Sequence, residues 1–86
     1  KEIYSDAEGL RCDILTAGGR AVVILDNARG KTCRARVGLS RQYRFDTAQD
    51  ADNGEIYPIS DRTFVLDLEA GAVRILLLSE NNLEHR

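Results

Sequence analysis

The chain has 86 residues, of which 43% are hydrophobic and 30% charged, and a formal net charge of −2. That is room for one small core burying roughly 60–65% of the unfolded chain's surface, and it excludes a multidomain, fibrous or disordered polypeptide. The mild negative charge argues against nucleic acid and membrane as partners, and no apolar run approaches the ~20 residues that cross a bilayer as a helix.

The sequence contains no methionine, which reads as a processed or excised piece of a larger protein. The expected organisation is one domain over 1–86, with a core of about 8–79, a linker-like stretch at 1–6 and a tail at 80–86. Gly18-Gly19 is a two-residue loop that tolerates the positive φ of a primed turn. It predicts a hairpin with Leu15 opposite Val22, Ile14 opposite Val23 and Cys12 opposite Leu25. After a turn at 27–30, residues 31–37 alternate, with Cys33, Ala35 and Val37 inward and Thr32, Arg34 and Arg36 outward. Tyr43 and Phe45 predict one face of a short fourth strand, 49–54 reads as loop, and 55–59 reads as an edge strand because Pro58 has no amide to donate. A second hairpin is predicted at Ala70-Gly71, pairing Leu68 with Val73, Leu66 with Ile75 and Phe64 with Leu77 on one face. Its other face would carry Asp67 opposite Arg74, Val65 opposite Leu76 and Thr63 opposite Leu78. Together these elements predict an all-β fold, a small antiparallel β-sandwich of six to eight short strands.

The final strand is apolar on both faces, so Val65, Leu76 and Leu78 form a candidate domain-docking patch. The competing reading is a central strand covered by loops or by the N-terminal segment. Between 28 and 45 the chain is basic (Arg29, Lys31, Arg34, Arg36, Arg41, Arg44), and between 46 and 69 it is acidic apart from Arg62. Neighbouring strands with complementary charge on a solvated face explain this; a basic patch for a partner is the alternative.

Catalysis by an activated nucleophile needs a base within reach, and the one histidine, His85, lies one residue from the C-terminus in a stretch that reads as an added tail. No catalytic residue, metal ligand set or cofactor is assigned, and the chain reads as a non-enzyme. In a three-strand meander Cys12 and Cys33 would stand two strand spacings apart, ~9.5 Å, beyond the about 7 Å that a disulfide spans, so two buried free thiols are expected. A sheet-to-sheet arrangement that brings them together stays open. The loop from Asp50 to Glu55 has the oxygen ligands a hard cation takes, set against the reading of a solvated acidic turn. With Phe64, Tyr43 and Phe45 assigned to the core, Tyr4 and Tyr57 are the candidate carbohydrate-binding platforms.

The order Tyr43-Arg44-Phe45-Asp46, Asn53-Gly54-Glu55, then Phe64 through Leu78 resembles the C-terminal all-β accessory domain of glycoside hydrolases. Such domains close with a strand, a D…GE turn and a hairpin of the form F-x-L-x-L-x-A-G-x-V-R-x-L-x-L. The strand Val22-Val23-Ile24-Leu25-Asp26-Asn27 is similar to one that ends on asparagine in that family. The match covers about 20–79. It implies a structural domain packed against a neighbouring catalytic domain of the same polypeptide, with the catalytic carboxylates elsewhere. Three functions follow as expectations: an accessory domain of a carbohydrate-active enzyme, a small carbohydrate-binding module, or a stand-alone interaction domain using the basic strand face.

Overall fold

The computed structural model of the chain describes residues 2–80. Its strands are β1 (Ile3–Ser5), β2 (Arg11–Ala17), β3 (Arg20–Asp26), β4 (Cys33–Leu39), β5 (Thr47–Asp50), β6 (Ile56–Pro58), β7 (Thr63–Leu68) and β8 (Val73–Ser79). They form two antiparallel sheets, one of order β1-β4-β7 and one of order β2-β3-β8-β5-β6. The fold is the all-β sandwich that the alternating strands predict. Ile3, Ala35, Val37, Phe64, Leu66 and Leu68 of the smaller sheet meet Ala21, Val23, Leu25, Ala48, Leu76 and Leu78 of the larger one in a single core. Full burial of each large side chain contributes about 1.5–3 kcal/mol.

The first hairpin forms with the expected rungs: Leu15 opposite Val22, Ile14 opposite Val23 and Cys12 opposite Leu25. Gly18 and Gly19 take φ of 59° and 80°, the left-handed pair that a primed turn demands and that only glycine adopts without cost. Ile56–Pro58 is an edge strand, with Pro58 opposite Thr47.

The second hairpin does not form. β7 pairs with β4 in the smaller sheet, whereas β8 lies between β3 and β5 in the larger one. Residues 69–72 therefore make an arch from one sheet to the other. A hairpin forces opposed residues onto one face; an arch frees the two strands to choose their inward faces independently. Phe64, Leu66 and Leu68 point into the core from one side and Leu76 and Leu78 from the other, so Ile75 and Leu77 point out. Asp67 accordingly faces Arg34 across β4–β7, and Arg74 lies opposite Leu25.

Three other elements differ from expectation. Ile3–Ser5, expected as linker, is a strand on the edge of the smaller sheet, where Ile3 is buried among the core residues. β4 leaves the β2–β3 meander for the other sheet, because 27–32 crosses between layers rather than turning within one. Tyr43 and Phe45 lie in irregular chain, and pairing resumes at Thr47–Asp50, two residues of which were expected as loop. Neither Cys12 nor Cys33 is in a disulfide; the first is buried and the second half-buried. Apart from Glu80, the tail expected at 80–86, with His85, lies outside the described residues, as does Lys1.

Both sheet crossings meet at Asn27. Fully buried, it donates its side-chain amide to the carbonyl oxygens of Lys31 (3.0 Å), Leu68 (3.2 Å) and Glu69 (2.9 Å), and its backbone N–H donates to Ala72 O at 2.8 Å. One side chain thus satisfies carbonyls of the β3–β4 and β7–β8 connections that the core would otherwise strip of water.

Candidate interaction surfaces

Sheet register places one row of side chains across the outer face of the larger sheet: Leu15 of β2, Val22 of β3, Leu77 of β8, Gln49 of β5 and Ile56 of β6. Leu15, Leu77 and Ile56 are 59%, 45% and 58% exposed. The next row sets Ile24 beside Ile75, and the one after it Asp26 beside Val73, with Ile75 and Val73 also exposed. An outward face of an antiparallel sheet is ordinarily polar. Here the aliphatic row crosses all five strands, about 19 Å at the usual strand spacing and interrupted by Gln49, and the two rows beyond it add Ile24, Ile75 and Val73 on β3 and β8.

The two-faced character expected of the final strand is real, but its outward residues are not those predicted. Leu76 and Leu78 are core, and Val65 is half-buried on the outer face of the other sheet, so these three form no common patch. The physical reason is the arch, which reverses which alternate residues of β8 face out. Val73, Ile75 and Leu77 take their place. The signal for Leu15 and Val22 was present in the first hairpin, whose rungs put them on the face opposite Ile14 and Val23.

The two predicted sugar platforms lie on different sheets. Tyr4 is half exposed on the outer face of the smaller sheet, opposite Gly38. Tyr57 packs against the core, its hydroxyl donating to Glu55 Oε1 at 3.1 Å; burial first, and then that hydrogen bond, raise its pKa. The structure brings other aromatics together. Tyr43 and Phe45 stack with centroids 6.0 Å apart and planes inclined by 24°.

Within the acidic loop, Asp50 is buried and its Oδ1 accepts the backbone N–H groups of Asp52 (2.8 Å) and Asn53 (3.1 Å). Its Oδ2 makes no hydrogen bond but lies 3.8 Å from Arg74 Nη1, within ion-pair range. Asn53 Oδ1 accepts from Glu55 N at 2.8 Å. These oxygens build the turn itself, and no cluster of three His, Cys, Asp or Glu side chains among the described residues is placed to hold a metal ion. In the basic stretch, Arg34 pairs with Asp67 at 3.2 Å across neighbouring strands, as the complementary-charge reading expects. The backbone N–H of Arg36, opposite Val65, donates to Asp6 Oδ1 at 2.8 Å.

Comparison with protein-family models, with curated proteins and with solved structures returned no match.

Proposed function

We propose that this chain is a non-catalytic accessory β-sandwich domain that docks through the outer face of its five-stranded sheet onto a neighbouring catalytic domain of the same polypeptide. The observation that carries the reading is the aliphatic row from Leu15 through Leu77 to Ile56. A linker holds a neighbouring domain of the same chain at an effective concentration of order millimolar, so its contact need not reach the about 800 Å² per partner that a stable complex of free proteins buries. A modest patch with Gln49 inside it suits a tethered neighbour.

No turnover is assigned to the domain: the sequence's one histidine is His85, and the thiols of Cys12 and Cys33 pack in or against the core. A carbohydrate-active parent is proposed from the residue order alone. The arch replaces the terminal hairpin of that order, so its support is the asparagine, Asn27, that follows β3 and the Asn53-Gly54-Glu55 sequence.

The test compares Leu77→Lys in this chain and in the polypeptide encoded around it. The expected result is an unchanged melting temperature for the chain alone and a lowered one for the longer polypeptide, with faster amide exchange at 73–77. Equal effects in both contexts would remove the docking role, and a concentration-dependent dimer of the chain alone would replace the tethered neighbour with a second copy.

A further inference from the structure

At one end of the sandwich the β2–β3 turn, the residues before β1 and the irregular chain at 42–45 enclose an open cleft of about 450 Å³. That is within the about 300–1,000 Å³ of ordinary small-ligand sites. Its wall includes Glu2, Arg20, Gln42, Tyr43 and Phe45, together with the backbone of Gly18 and Gly19.

The site is built rather than merely exposed. Glu2 is anchored by its carbonyl, which accepts Ser40 N–H at 3.1 Å, and Tyr43 N–H donates to Ser40 O at 3.2 Å. Tyr43 Oη then donates to Glu2 Oε1 at 2.7 Å and Gln42 Nε2 to Glu2 Oε2 at 3.3 Å. The carboxylate is held by one hydrogen bond on each oxygen. A carboxylate offers about four lone-pair sites, so further acceptor capacity remains on a group that is already oriented. Beside it the stacked Tyr43 and Phe45 rings, both half-buried and packed against the core, add apolar lining to an otherwise polar recess.

The charges limit the ligand. One carboxylate and one guanidinium cancel, and Glu2 repels a phosphate or carboxylate group. A hydrocarbon would strip water from Glu2, Arg20 and Gln42 without replacing their hydrogen bonds. What matches is a neutral molecule with hydroxyl groups on its rim and C–H groups on its face. We infer that this cleft binds a neutral saccharide, with ring C–H groups against the Tyr43–Phe45 pair and adjacent hydroxyls shared by Glu2, Gln42 and Arg20. The site stands apart from the outer face of the five-stranded sheet and does not depend on the docking reading.

The test is a titration of the isotope-labelled chain with maltose, cellobiose and lactose, followed by amide chemical shifts. The expected result is a saturable response to at least one of them, centred on Gly18, Gly19, Gln42 and Tyr43. Glu2→Gln, at an exposed position that leaves the core untouched, then weakens binding roughly tenfold, the scale of a lost hydrogen bond to a charged group. Tyr43→Phe keeps the ring but frees the carboxylate and gives a smaller loss, while Tyr4→Ala changes nothing. No response to any of the three sugars at their solubility limit, a response centred elsewhere, or full affinity in Glu2→Gln overturns the inference.

Discussion

Leu76 and Leu77 are neighbours in β8, yet the first is 0% and the second 45% exposed, one filling the core and the other lying on the outer face. Leu76→Ala should cost about 2–5 kcal/mol in urea denaturation, because it removes transfer energy and opens a cavity. Leu77→Ala in the chain alone should stay within about 0.5 kcal/mol, the range of surface changes. Comparable losses at both positions would contradict the assigned faces of β8.

Asn27→Ala removes the donor shared by the buried Leu68 carbonyl and the part-buried carbonyls of Lys31 and Glu69. The expected loss is about 2–4 kcal/mol, from more than one lost hydrogen bond. Asn27→Asp should be no better, since it sets a carboxylate against those same oxygens. Amide exchange should speed up in both sheet crossings together, and acceleration in only one would show that the side chain does not couple them.

How far the sequence predicted the structure turned on local rules against long-range ones. Gly18-Gly19 dictates its own hairpin because the positive φ of both residues is a local demand, and the β2–β3 register followed. Gly71 also has a positive φ, 73°, but its turn leads between sheets. Strand alternation did not warn of this: β8 is apolar at 73, 75 and 77 and again at 76 and 78, so either face satisfies a hydrophobic pattern. The carbonyl partners of Asn27 lie 41 and 42 residues away in sequence for Leu68 and Glu69, beyond any window. For the cleft, Tyr43 and Phe45 read as a strand face because their spacing is two, and Glu2 sat in a stretch read as linker. Their meeting is visible only once β1 pairs with β4.

Asp50 and Arg74 make a second kind of prediction. Arg74→Met leaves the buried carboxylate without its cation and should cost about 2 kcal/mol, less than a fully buried pair because Arg74 is partly exposed. In an Asp50→Asn background the same change should cost at least about 1 kcal/mol less, read from a double-mutant cycle. The Arg34–Asp67 pair, with side chains 72% and 65% exposed, should show coupling below about 0.5 kcal/mol and vanish in salt.

Asp61 and Arg62 both carry positive φ, 55° and 61°, in the tight turn that bridges Ser60 to Thr63. A non-glycine residue in that region costs about 1–2 kcal/mol. Arg62→Gly should therefore stabilise the fold, by about 0.5–1 kcal/mol after the added freedom of the unfolded chain is counted. A lower melting temperature would mean that Arg62 makes a compensating contact.

Tyr43 links the cleft to pH. Its hydrogen bond to Glu2 is the main cause, ahead of burial and the Glu2 charge, of a pKa raised above 10.0. The folded chain keeps this proton after the unfolded chain has released it. The associated stability is complete below pH 10.0 and is lost as the pH rises from there through the folded value. In an alkaline absorbance titration, Glu2→Gln should bring one of the three tyrosines back toward its ordinary ionisation. An unchanged titration curve would remove the Glu2 contact from the cleft.

The position of β8 between β3 and β5 has a consequence for biosynthesis. The last of the described strands is the middle of the larger sheet, so when β2 and β3 leave the ribosome, one edge of their ribbon waits for a partner some fifty residues downstream. Such late closure slows assembly and leaves a nascent edge open to intruders. A chain stopped before Val73 should therefore associate with itself rather than persist as a smaller domain.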